Sequence, residues 1–151
     1  MCLWVLAGPA SARLLGHRAV YDLKLLSAKD GADVTAVDGR MALELADACE
    51  GFTLNQRIIL RIYDTRGGAV TSDFRMTSWE ALDGRSFRFN TREEVNGREM
   101  QAFDGQAVLD PDAAGGQVVL TGGEGAERTL KAETIFPTQH TRALIKRARR
   151  G

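Results

Sequence analysis

The chain has 151 residues, 44% of them hydrophobic and 26% charged, which is enough to bury the core of one domain and excludes a disordered segment. Twenty basic residues balance twenty acidic ones, so a uniformly basic nucleic-acid-binding domain is disfavoured. No apolar run approaches the about 20 residues of a membrane-spanning helix, and we expect a chain that is not integral to a membrane.

The first twelve residues are apolar or small and read MCLWVLAGPASA. A short apolar stretch followed by Ala10-Ser11-Ala12 is typical of the end of a secretory signal, with cleavage after Ala12. A complete signal begins with a basic residue, and none precedes Arg13, so residues 1–12 are predicted to be a signal-peptide remnant. The alternative is a first buried strand, which Gly8-Pro9 would cut short. We therefore expect an exported protein in a periplasm-like compartment.

Most of the following chain alternates between apolar and polar residues, the pattern of strands with one buried face. Eight dipeptides lie between the alternating runs, and the Asn-Gly and Asp-Gly pairs among them suit hairpin turns. This pattern predicts an antiparallel meander of eight or nine strands, and the lack of long helical segments between strands excludes a parallel α/β fold. The dipeptides are Asp30-Gly31, Asp38-Gly39, Gly67-Gly68, Asp83-Gly84, Asn96-Gly97, Asp104-Gly105, Gly115-Gly116 and Gly122-Gly123.

Within the runs, apolar residues recur at every second position. They stand at Ala19, Tyr21, Leu23 and Leu25; at Met41, Leu43 and Leu45; at Phe52, Leu54, Ile58, Leu60 and Ile62; at Val70, Phe74 and Met76; at Phe87 and Phe89; at Val118 and Leu120; and at Leu130, Ala132 and Phe136.

The last segment has helical periodicity. After Phe136-Pro137, Thr138 is predicted to cap a helix that runs to Arg149, with Gly151 at its C-cap. Leu144 and Ile145 share its apolar face. The five basic residues between positions 142 and 150 have three interpretations: a solvated face, a contact with an anionic membrane surface, or a docking surface for an acidic protein.

One short helix is too small to cover a sheet of this length. We therefore predict an all-β, mainly antiparallel fold: a curved, open β-barrel or spiral-like meander with one C-terminal amphipathic helix, incomplete as it stands. Its exposed apolar concavity would be a site for a ligand, a partner or missing chain. The candidate structural or ligand-facing residues are Tyr21, Trp79, Phe87, Phe89, Leu144 and Ile145.

Catalytic and cofactor motifs are lacking in the sequence. His17 and His140 have no metal-ligand spacing, and neither a phosphate loop, a dinucleotide fingerprint nor a nucleophile elbow occurs. We expect no cofactor, no metal and no enzymatic activity. The one class of candidate catalytic residue is the carboxylates, namely Asp73, Glu80, Asp83, Glu93 and Glu94. Asp73 and Glu80 also suit cross-strand ion pairs with Arg75 and Arg88 on an outer face.

Cys49 is the one cysteine left after removal of a signal that contains Cys2. A single cysteine in an oxidising compartment is either a buried, inert thiol or one half of a disulfide whose partner lies outside this sequence. A catalytic thiol is disfavoured because neither histidine is near it in the sequence.

Several blocks together resemble the EipB family of periplasmic cell-envelope integrity proteins, formerly DUF1849. They are His17–Leu25, Cys49–Arg57 preceded by Glu44, Ser72–Arg75 with Trp79-Glu80 and Asp83-Gly84, Phe87–Phe89, and Phe136–Thr141. The resemblance implies that residues 13–151 correspond to the N-terminal half of the family domain.

The resemblance implies an exported alphaproteobacterial protein with a spiral-like open β-barrel, similar in shape to lipoprotein-carrier folds, and with no established enzymatic activity. It also implies that Cys49 forms a disulfide with a cysteine late in the family domain. The favoured hypothesis is a non-enzymatic periplasmic protein that supports envelope integrity by binding a protein or lipid-like ligand on the concave face. The alternatives are a lipid or lipoprotein carrier and, less favoured, a cell-wall hydrolase that uses paired carboxylates.

Overall fold

Eight antiparallel strands form one sheet whose spatial order is the order of the chain, β1 to β8. The computed structural model describes residues 14–112, 114–122 and 125–150. The elements are β1 (His17–Lys24), β2 (Val34–Asp47), β3 (Gly51–Asp64), β4 (Ala69–Ala81), β5 (Ser86–Val95), β6 (Arg98–Leu109), β7 (Gly116–Thr121), β8 (Ala126–Leu130) and α1 (Pro137–Ala148). The sheet stays open, with β1 and β8 at its edges, and it confirms the predicted all-β meander with a C-terminal helix. No helix in the described part of the chain is long and apolar enough to cross a membrane.

The pairing register sorts the side chains onto two faces, because residues opposite each other on neighbouring strands point the same way. We call the face that carries the alternating apolar residues the apolar face. Its members include Tyr21, Met41, Ile58 and Phe74, which lie in one row across β1 to β4. The opposite, polar face carries Arg18, Asp22, Arg40, Glu44, Arg57, Asp73, Arg75 and Arg88. The residues that alternate as apolar positions in the sequence therefore share one face of the sheet in the structure.

Two of the predicted turns are wrong. Asp38-Gly39 lies inside β2 and Asp104-Gly105 inside β6. These glycines serve close packing instead of a turn: a Cβ at Gly105 would collide with the ring of Phe89 on β5, and one at Gly39 with the Ile59 carbonyl oxygen on β3.

Four of the other dipeptides lie in hairpin connections, as expected: Asp30-Gly31, Gly67-Gly68, Asp83-Gly84 and Asn96-Gly97.

The helix differs from its prediction at its start. Its N-cap is Phe136 with no side-chain cap, and Pro137 occupies the first turn, so the prediction that Thr138 caps the helix is wrong. The predicted alternation over 130–136 is also absent as a strand, because β8 ends at Leu130. The predicted signal-peptide remnant over 1–12 and the C-cap at Gly151 lie outside the described residues.

The core lies at one end of the apolar face. Phe52, Glu80, Phe87 and Ala107 are cross-strand neighbours in one row over β3 to β6, and Phe136 covers this row. Phe52, Ala107 and Phe136 are the buried apolar residues in the described part of the chain. The rest of the apolar face is half-buried, so the fold leaves most of that face accessible.

Candidate functional site

Glu80 is the centre of the contact between the sheet and the helix. It is 2% exposed, and its carboxylate accepts hydrogen bonds from the backbone N–H groups of Thr138 at 2.7 Å and Gln139 at 2.9 Å. Since Pro137 has no N–H, these are the first two donors that the helix offers. A negative charge at a helix N-terminus is also favoured by the helix dipole. Glu80, a residue of β4, therefore caps the N-terminus of α1 in place of a side chain at the N-cap position.

An aromatic stack lies next to Glu80. The Phe87 ring lies 5.3 Å from the ring of Phe136 and 5.4 Å from that of Phe89, with angles of 24° and 28° between the ring planes. Stacked aromatic pairs add stabilisation beyond their buried area. Phe136 is thereby held on the sheet directly before the helix begins.

The turn between β4 and β5 supplies a third attachment. The Gln139 side-chain amide donates to the Leu82 carbonyl oxygen at 3.0 Å. Gly84 has φ 71° and lies against the Gln139 side chain, so the turn needs glycine both for its backbone conformation and for this close approach. The N-terminal turn of α1 is fixed at three points.

Beyond this turn the helix has no buried residue. Leu144 is 54% and Ile145 37% exposed. An open cleft of about 970 Å³ lies between α1 and the start of β1. Its apolar lining consists of Leu14, Leu15, Ile135, Ala143 and Ile145, and its polar lining of His17, Gln139, Arg142, Lys146, Arg149 and Arg150.

The candidate ligand-facing residues do not all meet. Tyr21 lies on the apolar face, 47% exposed, and Phe87 and Phe89 lie in the aromatic stack on the same face. Ile145 lines the cleft, whereas Leu144 does not. Trp79 lies on the polar face, where the Arg88 guanidinium stands 4.7 Å from its ring centroid. The structure therefore separates Trp79 from the other aromatic candidates, and the ligand role of all six residues stays a prediction.

Cys49 lies in the connection between β2 and β3. It is exposed and has φ 58°, and its backbone N–H donates to the Asp47 carboxylate at 3.2 Å. The interpretation of Cys49 as a buried thiol is therefore wrong, while its disulfide stays a prediction.

Asp73 and Glu80 do not form the carboxylate pair that hydrolysis would need. Asp73 and Glu80 belong to opposite faces of β4, so their side chains diverge. Asp73 accepts hydrogen bonds from Arg57 and from Arg75, and these, led by the bond from Arg57, lower its pKa from 3.8 to about 2. Asp73 does pair with Arg75, but along β4 and not across strands as predicted, and Glu80 is buried against the helix and is not part of an outer-face pair.

Sequence reasoning missed the role of Glu80, although one signal was present. In β4 the apolar-face positions are Val70, Ser72, Phe74, Met76, Ser78 and Glu80. A carboxylate at an apolar-face position needs a buried partner, because an unpaired buried charge is very costly.

Among the described residues there is no group of three or more histidines, cysteines or carboxylates that could hold a metal ion.

Comparisons with known proteins agree with this fold. The EipB-like family model matches residues 9–151. The "Cell envelope integrity protein EipB" of Brucella abortus (strain 2308) is 35% identical over 151 residues, covering 96% of this chain and 52% of that protein. The crystal structure of a β-barrel-like DUF1849 protein from Brucella abortus superposes with a TM-score of 0.84 at 33% identity, covering 92% of this chain and 57% of that one. The chain therefore spans about half the length of these relatives.

Proposed function

Because the chain belongs to the EipB-like family, we propose that it is a non-enzymatic periplasmic protein that supports the integrity of the cell envelope. The name of the Brucella abortus relative supports the role, and the small-residue run before Arg13 supports export. We further propose that residues 13–151 correspond to the N-terminal half of an EipB-like domain, in keeping with a match to about half of each relative.

The observation that carries the mechanism is the accessible apolar face. Half-buried apolar residues across β1 to β5, capped by a helix at one end only, form the kind of surface that marks a site for a partner or an apolar ligand. We propose that a protein or a lipid-like ligand binds there. Asp73 and Glu80 do not support a role in catalysis, since Asp73 is held by two guanidinium groups and Glu80 by the helix.

A second candidate function is carriage of a lipid or lipoprotein. It is favoured by the position of the described hydrogen bonds between α1 and the sheet, which all involve the N-terminal turn, while no described residue of α1 is buried. A helix held in this way has freedom to move over a ligand. A lipid in the mass spectrum of a detergent-free preparation would support a carrier, and lipid-free protein would oppose it.

Neighbouring residues on β1 provide a matched test of the apolar face. Tyr21 points to the apolar face and Val20, 63% exposed, to the polar face, so neither substitution disturbs the core. A strain that lacks the gene is expected to lose resistance to detergent. The natural gene and the Val20→Ser variant should restore that resistance, while Tyr21→Ser should restore less of it.

Two outcomes would contradict the proposal. Full resistance in the deletion strain would remove the envelope role, and equal complementation by Tyr21→Ser and Val20→Ser would remove the apolar face as the site.

A further inference from the structure

The cleft between α1 and β1 is lined by both apolar and basic side chains. Ile135, Ala143 and Ile145 present apolar surface, while Lys146, Arg149 and Arg150 present positive charge from the same side of the helix. None of the described residues that line the cleft is acidic. The cleft thus combines apolar surface with several cationic side chains.

Three of the basic side chains that line the cleft have no carboxylate partner within the described part of the chain. No ion pair there involves Lys146, Arg149 or Arg150, whereas basic residues of the polar face, such as Arg18, Arg40 and Arg57, pair with carboxylates. The apolar wall is exposed as well, with Ile135 48% and Ile145 37% accessible. An occupant with an apolar chain and an anionic head would satisfy both parts.

We propose that this cleft binds a single-chain anionic amphiphile, with its acyl chain along Ile135 and Ile145 and its acid group at Lys146, Arg149 and Arg150. The volume of about 970 Å³ lies at the upper end of the about 300–1,000 Å³ typical of small-molecule sites. This inference rests on the proposed function, because it names the class of ligand that the accessible apolar surface would take.

The shared chemistry is an alkyl chain with an anionic group, which a fatty acid and a phosphate monoester both offer. Titration calorimetry of the purified chain would use dodecanoate, dodecyl phosphate and dodecyltrimethylammonium below their micelle concentrations, and dodecanol below its solubility limit. The anionic compounds should bind, and the neutral and cationic compounds should bind about fivefold more weakly, because one favourable charge contact is worth up to about that factor. The ratio of dodecanoate to dodecyl phosphate affinity distinguishes the two sources.

The helix offers two matched controls. Lys146 lines the cleft and its neighbour Arg147 does not; Ile145 lines it and its neighbour Leu144 does not. Lys146→Glu should weaken dodecanoate binding about fivefold and Arg147→Glu less than about twofold. Ile145→Asn should likewise weaken binding, while Leu144→Asn should not. All four positions are exposed, so the fold should tolerate each change.

Several results would overturn the inference. They are equal affinity for dodecanoate and dodecanol, equal effects of Lys146→Glu and Arg147→Glu, or equal effects of the two asparagine variants. Binding to vesicles of anionic phospholipid without binding of dodecanoate would also overturn it, in favour of a contact between the helix and a membrane surface. Any of these leaves the envelope role intact, because that role depends on the complementation experiment with Tyr21 and Val20.

Discussion

The backbone N–H of Thr138 donates to Oε2 of Glu80 at 2.7 Å, although the two residues stand 58 positions apart in the chain. Glu80 is at the end of β4 and Thr138 in the first turn of α1. The start of the helix is therefore determined by β4, and four other strands lie between β4 and the helix in the sequence. This contact joins the two kinds of structure in the fold.

Substitution of Glu80 tests this contact. Glu80→Ala leaves the N–H groups of Thr138 and Gln139 without their acceptor in a buried place, and it should lower the free energy of unfolding by about 1–3 kcal/mol. Urea denaturation would measure the loss. Trypsin should also cleave faster after Arg142, because the helix would be released from the sheet.

The control for this variant is Glu127→Ala, since Glu127 is an exposed residue of β8. Its stability and its cleavage rate should match those of the unchanged protein. Equal stability of Glu80→Ala and Glu127→Ala would show that the sheet does not hold the helix through this carboxylate.

The lowered pKa of Asp73 leads us to expect that the stability of the fold depends on pH. Its pKa in the folded protein, about 2, is below the ordinary value of 3.8 because Arg57, joined by Arg75, donates hydrogen bonds to the ionised form. The carboxylate therefore stabilises the fold in full above pH 3.8, and this stabilisation is lost as the pH falls through about 2. Asp73→Asn should be less stable than the natural chain by about 1 kcal/mol at pH 7 and nearly equal to it at the acid end.

Urea midpoints between pH 7 and pH 2 would provide the comparison. Asp22 supplies the control, because its pair with Arg40 is about two-thirds exposed on both sides, and Asp22→Asn should change the midpoint little. A difference between Asp73→Asn and the natural chain that is the same at every pH would contradict the assignment.

We expect substitutions at Gly105 and Phe89 to have coupled effects on the free energy of unfolding. A methyl group at Gly105 would collide with the Phe89 ring, so Gly105→Ala should cost about 1–3 kcal/mol and disturb the stack through Phe87 to Phe136. In a Phe89→Leu background the ring is gone, and the same alanine should cost about 1 kcal/mol less. A thermodynamic cycle from urea unfolding measures this; strictly additive effects would refute the contact.

Cys49 carries the prediction of a disulfide that the family resemblance implies. In the natural gene product, the peptide that contains Cys49 should be recovered as an alkylated thiol only after reduction. Breaking that disulfide should cost about 2–5 kcal/mol of stability. Recovery of alkylated Cys49 from unreduced protein would refute the pairing.

The sequence was most informative where the fold is regular. Leu54, Ile58 and Leu60 alternate with the polar residues Asn55, Arg57 and Arg61, and this alternation assigns the two faces correctly, because a strand has a strict period of two. The turn dipeptides were reliable only where glycine takes a positive φ, as Gly31, Gly67, Gly84 and Gly97 do. Gly39 and Gly105 satisfy a packing need of a neighbouring strand, and their sequence context does not distinguish that need from a turn.

The start of the helix was not predictable from local sequence. Thr138 has the residue type of an N-cap, but the cap is provided by Glu80, and the pairing of β4 with β5 brings Phe87 beside Glu80 and under Phe136. That arrangement depends on which side chains meet across the sheet. For the same reason the sequence grouped Trp79 with Phe87 and Phe89, although the register puts it on the other face.

The strand order of the sheet also has a consequence for the folding rate. Each strand pairs with the strand before or after it in sequence, so the sheet can grow hairpin by hairpin with short loop closures and a low entropic barrier. Docking of Phe136 to Gln139 onto β4 and β5 instead closes a loop of nearly sixty residues. The helix should therefore dock late, in a separate kinetic step after the sheet has formed.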